Sequence, residues 1–395
     1  MKNTLSIFLI FLISFIKLSA QTTKDIYKFS DHINSKIEKD TLSWKYQMGA
    51  TDYSISEYHK KALETWDKNE SEVPKISNED RLYFKTFKPK NAKKYIINRS
   101  ETEQLIIINE AHHNASHRVF TTSLLQGLYD NGYRYFGLEA LHDTLINKRK
   151  FPIYESGYYT REPQLANLVN EATKIGFILF NYEAAKEKGG KEREIEQAEN
   201  IAKLIAKNPN SKFLIHCGYD HVIEEMRGDK NWEKAMAGRL KEITKINPFT
   251  IDQVAYSEKG DLKFNSPYIK MVNSESPVIM VDASGKTFNG GVENYQTDCR
   301  IIHPSTKYRN DRPNWLLLSG ERKVYKIPSS KITEYPVLIL AFRINEFEQN
   351  GIPADIIELI NKSQTGNLIL DKGIYKIIVK DKNYKIVNEY QQIVN

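Results

Sequence analysis

Between Gln104 and Ile243, short unbroken apolar runs alternate with longer stretches in which apolar residues recur every third or fourth position. The runs are Gln104–Asn109 (QLIIIN), Arg134–Leu138 (RYFGL), Phe177–Tyr182 (FILFNY) and Phe213–Cys217 (FLIHC). Runs this short and rich in Ile, Leu and Phe read as strands buried on both faces. The stretches between them, Arg118–Asp130, Arg161–Ile175, Glu192–Lys207 and one around Trp232–Ile243, read as helices. In the second of these Leu165, Leu168, Val169 and Ala172 share a face. In the third Ile195, Ala198, Ile201, Ala202 and Ile205 do so. Strands alternating with helices at this spacing predict βαβ units. The expected fold class is therefore α/β, a mostly parallel sheet covered by helices. Crossovers of this kind are almost always right-handed, so the four strands should present their C-terminal ends on one edge.

The pattern differs on either side. Residues 21–95 read as an N-terminal helical and wrapping segment. Ile26, Phe29, Ile33 and Ile37 fall on one stripe of a helical stretch over 24–70, and Lys68–Lys94 is a polar linker containing proline. The α/β domain spans 96–328, with Pro277–Asp282 (PVIMVD) as a further strand and Ser284–Asn294 as a Gly-rich loop. From Glu334 the period becomes that of strands, with turn signals at Asp371-Lys-Gly and Asp381-Lys-Asn. Residues 329–395 thus form a small C-terminal antiparallel β appendix, with one helix near Pro353–Asn361.

Residues 1–20 carry Lys2, an apolar core from Leu5 to Ile16, and Leu18-Ser19-Ala20 before Gln21. That is the layout of a signal peptide, and the core is shorter than the roughly 20 residues a spanning helix needs. The reading is an exported protein, periplasmic or extracellular, with no stable membrane anchor after cleavage. Net charge is +7, but Lys and Arg are dispersed among almost as many acids, so no basic nucleic-acid footprint is present. Export permits a disulfide between Cys217 and Cys299. A buried free thiol at Cys217, inside an apolar run, fits equally well.

Ligands of open α/β sheets sit outside the carboxyl ends of the strands. Here the first run ends in Glu110-Ala-His112-His113 and the second in Glu139. The third ends in Tyr182-Glu183, and the fourth in His216, Gly218 and His221. Carboxylates and imidazoles on one edge supply general acids and bases, or metal ligands. Taken singly, each acid could instead satisfy the free N–H groups of a following helix. His113 and His117, four apart, would share a helical face as zinc ligands can, although the glutamate of a zincin motif is missing.

Asn109-Glu110-Ala111-His112, with Asn114 and His117, resembles the opening GE-x-H-x-N motif of the ChaN-like haem-binding uptake proteins. Those belong to a wider superfamily with the erythromycin esterases and the Tiki/TraB proteases. Glu139 is similar to the superfamily's second acidic position. Arg193-Glu194 with Ala198-Glu199-Asn200 resembles the esterase pattern R-D-x-x-M-A-E-N, and Gly218-Tyr219-Asp220-His221 resembles the closing G-x-x-H. The resemblance covers residues 100–245. Asn109 stands where a Gly is expected, and Glu194 and Gln197 stand where the esterases have Asp and Met.

The resemblance implies one of two activities. In the first, a hydrolase acts on an ester, lactone or peptide bond. His112 or His221 activates water, Glu110 and Glu139 orient that base, and Arg193 stabilises the oxyanion. A divalent metal ion held by His112, Glu139 and His221 would assist. In the second, the protein binds haem or metal without turnover, with Tyr182 or Tyr219 as a haem ligand. A surface interaction protein that merely retains the old site is a third class. The expected partners are a small-molecule or peptide substrate, or haem.

Overall fold

Eight strands form the central sheet of the computed structural model, which describes residues 25–139, 141–225, 231–290 and 296–395. The signal-peptide expectation, and part of the Gly-rich loop, lie outside the described residues. The strands are β1 (Lys88–Asn91), β2 (Leu105–Glu110), β3 (Tyr133–Leu138), β4 (Ile178–Asn181), β5 (Lys212–Gly218), β6 (Phe249–Asp252), β7 (Val278–Val281) and β8 (Cys299–Ile302). Their order is β1-β7-β8-β6-β2-β5-β3-β4. The run from β8 to β4 is parallel, and only β7 runs against its neighbours. The fold is α/β, as the alternation of runs and amphipathic stretches implies.

Each apolar run is a strand because both faces of the sheet are covered. Leu105 to Ile108 show no exposed surface. Ile106 and Ile108 pack into one apolar layer, and Leu105 and Ile107 into the other. Helices Ser116–Asp130 and Pro163–Ile175 cover the first face, and helices Gly190–Lys207 and Met236–Thr244 the second. Strands β6 and β8, each only four residues long, escaped the periodicity reading. So did β1, which lies inside the stretch read as linker and pairs with β7.

Helix Pro163–Ile175 starts where proline and a capping acid meet. Glu162 accepts from Leu165 N at 2.7 Å, Pro163 needs no N–H partner, and Gly176 closes the helix at φ +119°. Its polar face is buried as well. Asn167 Nδ2 donates to the Ala354 carbonyl at 2.9 Å, and Gln164 accepts from Arg322 Nη1 at 2.6 Å. The helix is therefore held between the main sheet and the C-terminal β unit.

That unit is a four-stranded antiparallel sheet of Val337–Arg343, Asp355–Leu359, Gly373–Lys380 and Ile386–Val394. The helix expected near Pro353–Asn361 is its edge strand Asp355–Leu359. Ile356 and Leu359 are buried in the apolar layers on either side of this sheet, which a short solvent-facing helix would not allow. In the N-terminal segment, helix Ser30–Lys39 begins after Phe29. Only Ile33 and Ile37 of the expected stripe pack with Tyr53 and Ala62 of the neighbouring helices. Phe29 instead joins Tyr27 and Ile55 against Leu338, Leu340 and Ile378 of the C-terminal sheet. Cys217 and Cys299 are both buried free thiols, on strands separated by β2 and β6. Among the described residues no helix is long and apolar enough to cross a membrane.

Candidate functional site

Two histidines, each backed by a buried carboxylate, stand at the C-terminal ends of β2 and β5. His112 Nδ1 donates to Glu110 Oε1 at 2.9 Å, and His221 Nδ1 donates to Glu194 Oε2 at 2.8 Å. In His112 this bond turns Nε2 outward as the free acceptor, whereas in His221 Nε2 faces Arg193. His112 and Glu139 meet at Gly218. A side chain there would place its Cβ 2.6 Å from His112 Nε2 and 3.2 Å from Glu139 Oε2. Only a bare Cα lets the two groups approach across the strand end. Glu139 accepts from the Gly218 amide, and its other oxygen takes Arg193 Nη2 at 2.7 Å. Arg193 also bonds Glu183 through Nε and Nη2, and its Nη1 lies 3.0 Å from His221 Nε2.

The first dyad rests on a fully buried cation. Arg118 bonds both oxygens of Glu110, and its Nη1 reaches Glu162 Oε2 at 2.7 Å. Burial by itself raises the pKa of Glu110. The charge and hydrogen bonds of Arg118 overcome this and hold the carboxyl well below the usual range. Glu139 behaves alike. Burial raises it, but His221, His112 and Arg193 bring it down to about 2. At His221 burial favours the neutral ring, as does Arg193 beside it. Glu139 and Glu194 outweigh both and raise its pKa. At His216 burial, with the charges of Arg118 and His112, outweighs Glu110 and Glu139 and depresses the pKa to about 4.

Aromatic rings line the dyads. Tyr159 stacks on His112 at 3.8 Å between centroids, with Tyr219 edge-on at 5.1 Å. Trp232 stacks on His221 at 4.8 Å. The side chain of His112 is 13% exposed and that of Arg193 27%, so both can meet a solute. Among the described residues no hydrogen-bond partner reaches His112 Nε2.

The structure brings together Glu110, His112, Glu139, Arg193 and His221 from strand ends and a helix far apart in sequence. Other expectations need correction. Tyr182 turns into the apolar layer, 1% exposed, and its hydroxyl donates to the His216 carbonyl at 2.8 Å, so it is no haem ligand. Tyr219 lies at the edge of the site, but its hydroxyl is 3.2 Å from His113 Nδ1 and its ring stacks with Trp66. His113 and His117 share no helical face, because the helix begins only at Ser116. His113 stacks on Trp66, and His117 accepts from the Ala111 amide. Nor do His112, Glu139 and His221 form a metal site. Among the described residues no group of three or more His, Cys, Asp or Glu side chains is arranged to hold an ion. The Arg193 guanidinium already bonds Glu139 and faces His221 Nε2.

Asn109 has a specific task. Its amide donates to the Tyr219 carbonyl at 2.8 Å and to Asp252 Oδ1 at 2.9 Å, and it accepts from Gln253 N at 2.7 Å. It thereby ties the end of β2 to those of β5 and β6. Tyr219 takes the left-handed region at φ +41°, a strained conformation for a tyrosine, within this tie. Sequence reasoning missed Arg118, Glu162, Tyr159 and Trp232 as supports. It noted Glu194 only as a departure from the esterase Asp, although that position was the signal for the second dyad.

No family model matches the chain, and no curated protein does. Among solved structures it is similar to the type III effector HopBA1, with a TM-score of 0.29, 9% identity, and coverage of 48% of this chain and 96% of that one. It is also similar to RRSP, a MARTX toxin effector domain from Vibrio vulnificus CMCP6, with a TM-score of 0.29 and 11% identity. That match spans 68% of this chain and 48% of the RRSP chain.

Proposed function

We propose that this chain is an exported hydrolase of the erythromycin esterase, ChaN and Tiki superfamily, acting on an ester, lactone or peptide bond. The observation that carries the reading is the pair of carboxylate-backed imidazoles flanking the Glu139–Arg193 ion pair. His112 Nε2, the unengaged acceptor, takes a proton from water while the water oxygen adds to the carbonyl carbon. Arg193, charged and partly exposed, faces the developing oxyanion. His221, whose carboxylate neighbours favour its protonated form, gives its proton to the departing oxygen or nitrogen as the carbon–heteroatom bond breaks. The products are a carboxylic acid and an alcohol or amine. Glu110 and Glu194 orient the rings, and Glu110, held well below the usual carboxylate range by Arg118, stays ionised.

The test is a panel of ester, lactone and peptide substrates assayed with the wild type and with His112→Ala. Turnover lost in the variant supports His112 as the base. Equal turnover in both removes it from that role. Haemin titration of the purified protein checks the binding alternative, which a Soret shift would favour over turnover.

A further inference from the structure

The C-terminal sheet has two edges, and they are finished differently. At Asp355–Leu359 the main chain of Ile356 is taken up by side chains. Its N–H donates to Asp355 at 2.9 Å and Glu57 at 3.3 Å, and its carbonyl accepts from Arg312 Nη1 at 3.0 Å. At the opposite edge, Ile386–Val394, the strand is nine residues long and pairs on one side with Gly373–Lys380. Beyond that ladder, among the described residues, its main chain is bonded only by the Gln392 side-chain amide, to the Ile393 carbonyl at 2.6 Å. Edge strands are usually protected by lysine, proline or a covering element. This one carries a single charge, Glu389, and displays Ile386, Val387 and Ile393 at 51%, 37% and 59% exposure.

The segment IVNEYQQIV reads nearly alike in both directions by side-chain class. Ile386 matches Val394, Val387 matches Ile393, Asn388 matches Gln392, and Glu389 matches Gln391, about a central Tyr390. We propose that this edge is a homodimer interface. Two copies pair antiparallel about a twofold axis at Tyr390, joining their C-terminal sheets into one.

Antiparallel pairing in this register keeps each side chain on its own face. Val387 then opposes the partner's Ile393. Because Ile374, 46% exposed, is already registered beside Ile393, each end of the seam becomes an apolar row. Glu389 meets the partner's Gln391, so no like charges oppose each other. A two-residue slip in either direction loses both Val387–Ile393 pairings, and one of the slips sets Glu389 against the partner's Glu389. The twofold pairing uses this edge of both copies, and at the other edge the main chain of Ile356 is already taken up, so the assembly closes at two copies.

The experiment is sedimentation of the full chain over a concentration series, with circular dichroism to confirm folding. Three proteins are compared: wild type, Val387→Lys with Ile393→Lys, and Val387→Glu with Ile393→Lys. The expected result is a wild-type dimer at twice the monomer mass. The double-lysine variant should be a folded monomer, since lysines face lysines, and the glutamate–lysine variant should dimerise again. A wild type that stays monomeric or polymerises overturns the proposal. So does a dimer that survives the double lysine, or a glutamate–lysine variant that stays monomeric.

Discussion

Arg118, with no exposed surface, donates through Nε and Nη2 to the two carboxylate oxygens of Glu110, each at 2.6 Å. A guanidinium fork held this way fixes the carboxylate plane, and the carboxylate fixes the ring of His112. The same cation neutralises Glu162, which caps the helix at Pro163. Position of the base, burial of two acids and the start of a helix thus depend on one side chain.

Removing that cation leaves two buried carboxylates without a compensating charge. Arg118→Ala is expected to lower stability by about 3–5 kcal/mol. Arg118→Lys, which keeps the charge but cannot grip both oxygens, should recover only part of this. Urea denaturation followed by circular dichroism measures both. A loss below about 1 kcal/mol for Arg118→Ala would contradict the role assigned to the pair.

Stability should fall with pH in two windows. His216 has a folded-state pKa of about 4 against an ordinary 6.5, so its contribution is complete above 6.5 and is lost as pH falls through 4. Glu139, at about 2 against 4.5, contributes fully above 4.5 and loses that contribution as pH falls towards 2. Urea midpoints from pH 7 to pH 2 should show His216→Gln reducing the slope of the upper window, which His303 shares, and Glu139→Gln that of the lower one, which Glu110 shares. An upper window unchanged by His216→Gln would show that His216 contributes nothing to it.

Asn109 stands where the resembling family has glycine, and its side chain makes three of the bonds that join the strand ends. Asn109→Gly leaves the buried Asp252 carboxylate and the Gln253 amide without that partner. The expected cost is about 1–3 kcal/mol, read as a lower urea midpoint. An unchanged midpoint would mean that the tie is replaceable.

Arg193 is predicted to matter more for rate than for binding. On a substrate turned over by the wild type, Arg193→Gln should reduce kcat by about 10²–10³-fold with a smaller change in KM. A change confined to KM would show that Arg193 holds the substrate and not the oxyanion.

The sequence by itself determined the strand–helix rhythm, because burial on both faces demands continuous apolar runs and helical crossovers repeat every third or fourth residue. It also placed Glu110, His112, Glu139 and His221, since parallel strands leave their C-terminal ends on one edge whatever the strand order. It did not reveal β6 (FTID) and β8 (CRII), whose polar residues break the apolar run, or the strand at Asp355–Leu359, whose apolar residues suit a helix equally well. Only the tertiary structure decided which groups hold the histidines. Arg118 and Glu194 sit on helices whose spacing marks their apolar faces but not what the polar residues meet. Tyr182 shows the converse. Its neighbour Glu183 faces Arg193, whereas the tyrosine, one position away, points to the opposite side of the chain and into the core. Whether a polar group meets a partner, water or a substrate depends on distances between segments far apart in the chain, and no local pattern encodes them.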